Sequence, residues 1–183
     1  GYGIEEGQDG YTSFDEDTDL TGRIALVLRY EPLNDEGHSR WAEARFSRFS
    51  GIRSKLAALV ERKAAGIILV NPPGAVDGAT GLESLRQSAR FGSRLEVPVV
   101  QMTPGAAERV VERGDKDKRD LLTLRKLADE GEVKTIDLSD KVKVTLATEL
   151  NVDDRLHTQN VGAVLPGKSD LADEWIIIGA HYD

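Results

Sequence analysis

His181 and Asp183 are the residues of this sequence best placed to do chemistry. They follow the apolar run Trp175-Ile176-Ile177-Ile178-Gly179-Ala180 and are separated only by Tyr182. Side chains of an extended strand alternate between its two faces, so positions i and i+2 project to the same side. The run predicts a buried strand whose outgoing end carries an imidazole and a carboxylate together. Open α/β sheets hold their sites at that end. A neutral imidazole suits zinc, and a nearby carboxylate either ligates the ion or orients the imidazole through a hydrogen bond. His-x-Asp is a short motif, and a surface histidine at a strand end satisfies it equally, so its context has to decide.

Other chemistries find less support. Asp15-x-Asp17-x-Asp19 begins like a calcium loop, but Leu20 stands where the sharp turn needs glycine and Leu26 where a bidentate carboxylate belongs. A solvated turn is expected there. Gly74, Gly78 and Gly81 precede no Gly-Lys-Ser/Thr and open no phosphate-binding helix. No Gly-x-Ser-x-Gly elbow and no His-Glu-x-x-His helix occurs. His38 and His157 stand alone in polar surroundings. Arg40, Arg45, Arg48 and Arg53 interleave with Trp41, Phe46 and Phe49, but acidic neighbours predict a packed, salt-bridged segment rather than a nucleic-acid surface.

Composition narrows the classes further. The 183 residues are 39% hydrophobic, enough for one good core or one domain and part of another. The net charge of -8 repels nucleic acid and anionic membranes unless a local basic face overrides it. There is no cysteine, which excludes disulfides, thiolate zinc sites and cysteine nucleophiles. No apolar run approaches the roughly 18 residues that cross a bilayer. Gly1-Tyr2-Gly3-Ile4 is neither a methionine start nor a secretory leader, and an incomplete piece of a larger protein is expected.

The elements that would position these residues follow from periodicity. Ile24 to Leu28 reads as a central strand, and Ser54 to Ala65 as a helix with Leu56, Leu59, Val60 and Ala64 on one face, closed by Gly66. Ile67 to Val70 reads as a second buried strand, parallel to the first because a helical crossover joins them. Tyr30 to Gly51 has no sustained period and reads as a long excursion. Ala75 to Glu96 reads as a loop with one helical turn near Leu82 to Ala89. Val97 to Met102 reads as a strand with Pro98 near its start. Thr103-Pro104 caps a helix running to Arg113 and closed by Gly114, and a further helix spans Asp120 to Glu130 before Gly131. Strands are then expected at Val142 to Leu146, Asn160 to Leu165 and Trp175 to Ala180, the last two as antiparallel neighbours. A domain boundary falls near Glu132 to Asp140.

Asn160-Val161-Gly162-Ala163-Val164-Leu165-Pro166-Gly167, a short acidic linker and Ile176-Ile177-Ile178-Gly179-Ala180-His181-Tyr182-Asp183 resemble the opening of the catalytic domain in the zinc aminopeptidase family that includes glutamate carboxypeptidase. Gly1-Tyr2-Gly3-Ile4, Leu20 to Arg29, Ala65 to Asn71 and Val97 to Gln101 resemble the protease-associated domain inserted in many of those enzymes. The resemblance implies a two-zinc exopeptidase, with His181 matching the first zinc ligand and Asp183 the aspartate that supports the site from behind it. The bridging carboxylate, the glutamate base and the other ligands would follow residue 183.

The expectation is thus an α/β (α+β mixed) chain. Residues 1–138 would form a protease-associated domain with a mixed central sheet flanked by helices, and residues 141–183 the opening strands of a truncated peptidase domain. Implied by resemblance are an accessory, substrate-gating or interaction role in a zinc aminopeptidase, a peptide or protein substrate, and a secreted or cell-envelope location. The piece itself would be inactive and hold little or no zinc. No nucleic acid and no membrane span are expected, while unpaired C-terminal strands invite self-association. The rival reading is an interaction module of a receptor relative whose peptidase-like domain has lost its metal.

Overall fold

The computed structural model describes residues 1–76, 81–82, 95–139, 142–149 and 161–180, and among them the chain is α/β. Strands β1 (Ile24–Leu28), β2 (Gly66–Val70) and β3 (Val99–Met102) form a three-stranded parallel sheet in the order β1-β2-β3. The register pairs Ile24 with Gly66 through Leu28 with Val70, and Ile67 with Val99 through Val70 with Met102. Helix α1 (Ile52–Glu61) connects β1 to β2, and helices α2 (Pro104–Gly114) and α3 (Leu121–Asp129) follow β3.

Strand alternation sorts the core into two layers. Ile67 and Leu69 of β2, with Val27 of β1, pack with Ala58 and Leu59 of α1 and with Phe14 and Leu20. Ile68 and Val70, with Leu28, turn the other way onto Ala107 and Val111 of α2, Leu121 and Ala128 of α3, and Tyr2 and Ile4. A sheet covered on both faces needs apolar residues at every position of its middle strand, and all five residues of β2 are buried. Burying each Ile, Leu or Val there contributes about 1.5–3 kcal/mol.

The β1, β2 and β3 segments, the β1-α1-β2 crossover and both helices after β3 form where periodicity places them. Asp120 caps α3, its side chain accepting from Thr123 N at 2.6 Å, and Gly131 ends it at φ +72°. Several expectations need correction. The sheet is parallel throughout rather than mixed, and β1 lies at its edge, with three of its five residues only half-buried. The helix before β2 stops at Glu61, and Lys63 takes the left-handed turn at φ +63°, so Gly66 is no cap. Gly66 instead opens β2, where a Cβ would lie 3.0 Å from Leu146 Cδ1 and 3.4 Å from Pro98 Cγ. At α2, Pro104 stands in the first turn as expected, but the Thr103 hydroxyl caps nothing; Thr103 O accepts from Ala106 N and Ala107 N at 3.0 Å.

The largest departures lie late in the chain. Residues 142–149 and 161–180 join no ladder, so the strands expected at Val142 to Leu146 and Trp175 to Ala180, and at the described part of Asn160 to Leu165, are absent there. Strand propensity supplies one set of backbone donors and acceptors, whereas a strand needs a neighbour to receive them. Ile176, Ile177 and Ile178 are about 90% exposed. Contacts group Gly1–Glu149 as one compact unit and Leu150–Asp183 as another. Within the first unit, Leu138 and Ser139 are fastened by close approach to glycine: a Cβ on Gly114 would stand 2.8 Å from Leu138 Cβ, and Ser139 N donates to Gly114 O at 2.8 Å. The helical turn expected near Leu82 to Ala89 lies largely outside the described residues. Among the described residues no helix is long and apolar enough to cross a membrane.

Candidate functional site

Parallel strands bring their carboxyl ends to one edge, and that edge gathers polar groups in this sheet as in other open α/β sheets. Beyond Leu28 the chain continues as Arg29, Tyr30 and Glu31, and beyond Val70 as Asn71. Arg29 N extends the ladder by donating to Val70 O at 2.8 Å, and its guanidinium donates to Asn71 Oδ1 at 3.1 Å, which ties the two exits together. Tyr30 then turns the chain away in the left-handed region at φ +64°. Farther out, Gly37 and Gly74 bring the two loops against each other, with Val76 N donating to Gly37 O at 3.1 Å. A Cβ on Gly37, which sits at φ +85°, would fall 2.1 Å from Gly74 O, so only glycine fits.

Glu31 is fully buried and organises the excursion that follows. Its Oε1 accepts from the Ser39 hydroxyl at 2.5 Å and from Ser47 N at 2.7 Å, and its other oxygen accepts from the Ser47 hydroxyl. One carboxylate thereby closes a loop from residue 31 to residue 47. Lys55 of α1, 1% exposed, enters from the helix side, donating to Leu28 O at 3.3 Å and to Tyr30 O, with its ammonium 5.4 Å from the centre of the Tyr2 ring. Burial brings its pKa down from 10.5 to about 7, against the attraction of Glu31 and with help from Arg29.

The sign of that shift sets a pH dependence. An unfolded lysine holds its proton to about 10.4, so between pH 7 and that value the unfolded chain binds more protons and stability rises with pH. Below about 7 both states are charged and the contribution is flat. Relative to Lys55→Met, the native chain is expected to gain urea resistance from pH 7 to pH 9.5. Parallel urea midpoints in the two proteins would contradict the assignment.

A second buried network joins α3 to the amino-terminal segment. Asp129 Oδ1 accepts from the Tyr2 hydroxyl at 2.6 Å and from Leu33 N at 2.9 Å, while Oδ2 faces Arg125 Nη1 at 3.3 Å. Arg40 donates to Asp129 O at 2.6 Å and pairs with Glu130 at 2.9 Å. Desolvation raises the pKa of Asp129, although the Leu33 and Tyr2 hydrogen bonds and the Arg125 charge oppose it. Burial and the neighbouring aspartate push the Tyr2 phenol up as well. The aromatic residues of the arginine–aromatic segment are packed, with Tyr30 stacked on Phe46 at 4.2 Å and Trp41 edge-on to Tyr11 and Phe49. Beside it an open depression of about 560 Å³ is lined by His38, Arg40, Trp41 and Glu43 among others.

The two residues singled out for metal chemistry, His181 and Asp183, lie outside the described residues, as does His157. Among the described residues no three His, Asp or Glu side chains gather closely enough to hold an ion. A catalytic zinc takes about three protein ligands, and His181 and Asp183 do not make up that number. Asp15, Asp17 and Asp19 form a surface turn in which Asp19 Oδ1 accepts from Thr21 N and Thr21 Oγ1, and Asp15 faces Lys134 at 3.5 Å.

Glu31, Lys55 and Asn71 escaped the sequence reading. Lys55 left a trace, since it precedes Ala58 and Leu59 by three and four positions and so shares their buried helix face. Glu31 left none, because its partners are 8 and 16 residues away in an aperiodic stretch. Scans of family models, curated proteins and solved structures find no match to this chain.

Proposed function

We propose that this chain is the accessory, substrate-gating part of a zinc-dependent aminopeptidase that hydrolyses N-terminal peptide bonds. The observation that carries the reading is the sequence Ile176-Ile177-Ile178-Gly179-Ala180-His181-Tyr182-Asp183, following a stretch patterned like a protease-associated domain. It is supported by a compact α/β unit whose parallel strands occupy 24–28, 66–70 and 99–102, three of the segments that carry the resemblance. The loops leaving β1 and β2 are held by Glu31, Lys55 and Asn71, which makes them a firm surface for a peptide. In this reading His181 supplies one zinc ligand of two-zinc chemistry and Asp183 orients it. The exposed Ile176–Ile178 run is the segment that would pair with further strands or with a second copy.

The test compares the 183-residue chain with a chain extended past Asp183, measuring bound zinc and release of N-terminal residues from peptides. The extended protein is expected to hold two zinc ions and cleave, and the shorter one to do neither. His181→Ala in the extended protein is expected to abolish cleavage, and Asp183→Asn to lower zinc affinity or activity about 10–100-fold. An extended chain that binds no zinc and cleaves nothing would favour an interaction module of a receptor-like relative without a metal site.

A further inference from the structure

The stretch between Glu43 and Glu61 contains Arg45, Arg48, Arg53 and Lys55 and not one acidic residue, in a protein whose net charge is -8. Lys55 is consumed inside the fold, but Arg45, Arg48 and Arg53 are exposed. At Arg45 and Arg48 the structure departs from the salt-bridged packing that the sequence suggested. Arg40 pairs with Glu130, whereas neither Arg45 nor Arg48 meets a carboxylate among the described residues.

The loop that bears these charges is fixed from below. Glu31 holds Ser47 through its N–H and its hydroxyl. Ser47 Oγ accepts from Phe49 N at 3.1 Å, and the Ser50 hydroxyl donates to Ser47 O at 2.8 Å, closing the single 3-10 turn Arg48–Ser50. Phe46 stacks on Tyr30, and the Arg48 guanidinium lies 4.9 Å from the centre of the Phe49 ring. Arg45 is kept at φ +58°, a conformation that an arginine adopts only when its surroundings impose it. A buried carboxylate and an aromatic stack thus fix the backbone of a short loop on which Arg45 and Arg48 are exposed. Little entropy remains to be lost when an anionic group docks there.

We propose that the loop 44–50 is a docking surface for an acidic peptide segment of a partner protein, recognised by Arg45 and Arg48. Guanidinium groups pair carboxylates bidentately, which gives such a surface direction as well as charge. A peptide fits better than a nucleic acid for two reasons. The Tyr30–Phe46 and Arg48–Phe49 contacts already occupy ring faces on which bases would stack. The rest of the chain repels a long polyanion, whereas a short acidic segment is screened from it beyond about 8 Å at physiological salt. The proposal goes beyond the peptidase reading and does not depend on metal.

The experiment uses the 183-residue chain in EDTA and fluorescence anisotropy with a labelled ten-residue Glu/Asp-rich peptide, beside neutral and lysine-rich peptides of equal length. Only the acidic peptide is expected to bind, and binding should weaken as salt rises from 50 to 300 mM. Arg45→Gln with Arg48→Gln should weaken it roughly tenfold. Arg45→Lys with Arg48→Lys should retain part of the binding, and Arg109→Gln with Arg113→Gln on α2 should leave it unchanged; near-UV circular dichroism verifies that each variant is folded. Absence of binding, or an equal loss in the α2 variant, overturns the proposal. Tighter binding of a single-stranded oligonucleotide of matched charge reassigns the surface to nucleic acid and overturns it too.

Discussion

Glu31→Ala is expected to destabilise the protein by about 3–5 kcal/mol, the range for removing one member of a buried charge network. The fully buried carboxylate accepts from the Ser39 hydroxyl and from both the N–H and the hydroxyl of Ser47, and it opposes the charge of Lys55. Alanine leaves the buried Ser39 hydroxyl and the partly buried Ser47 donors without their acceptor, at about 1–3 kcal/mol for the buried one and less for the others. It also strips Lys55 of its counter-charge. Total stabilities of small domains are about 5–15 kcal/mol, so a large part of the margin disappears. The measurement is urea unfolding at pH 7 with unchanged m. Glu31→Gln, which keeps acceptor oxygen but not charge, should fall between the two. A midpoint within experimental error of the native one would show that the excursion 31–51 is not anchored through this side chain.

Asp129→Ala should cost a similar amount through a second set of partners. Its side chain receives the Tyr2 hydroxyl and Leu33 N and neutralises Arg125, which is 3% exposed. Two Arg125 nitrogens already lack a hydrogen-bond acceptor among the described residues, so the guanidinium depends on Asp129 for charge balance. Removing the aspartate leaves a buried cation unopposed and frees the amino-terminal segment from α3. Exchange of the amides of residues 2–4 and 33 should accelerate along with the loss of about 3–5 kcal/mol. If Asp129→Ala lowers stability by less than about 1 kcal/mol, the network is incidental to the fold. Because Glu31 and Asp129 grip the same excursion, at Ser39 and at Leu33 and Arg40, the combined substitution should cost less than the sum of the two losses.

How much of this was legible beforehand depended on the range of the interaction. β1, β2 and the helices after β3 came from local rules: apolar runs, 3.6-residue spacing, Pro104 and Gly131. The same local signals in Ile176-Ile177-Ile178 and Val142 to Leu146 predicted strands that the described structure does not pair, since periodicity says which backbone could enter a sheet and not whether a neighbour is present. Gly66 was misread for a related reason. Its glycine answers to Leu146, 80 positions away, and not to the helix beside it.

By itself, then, the sequence determined the α/β class, the parallel β1-α1-β2 crossover and the apolar residues that face the core, all consequences of periods of two and of 3.6 that each segment carries alone. Only the tertiary structure decided that Glu31 collects Ser39 and Ser47, that Lys55 is buried under the end of β1, that Asp129 joins Tyr2 to Arg125, and that Arg45 and Arg48 are exposed on a fixed loop. The physical reason is that a buried polar group must find partners wherever folding brings them, and no spacing in the chain records a partnership made across 127 residues.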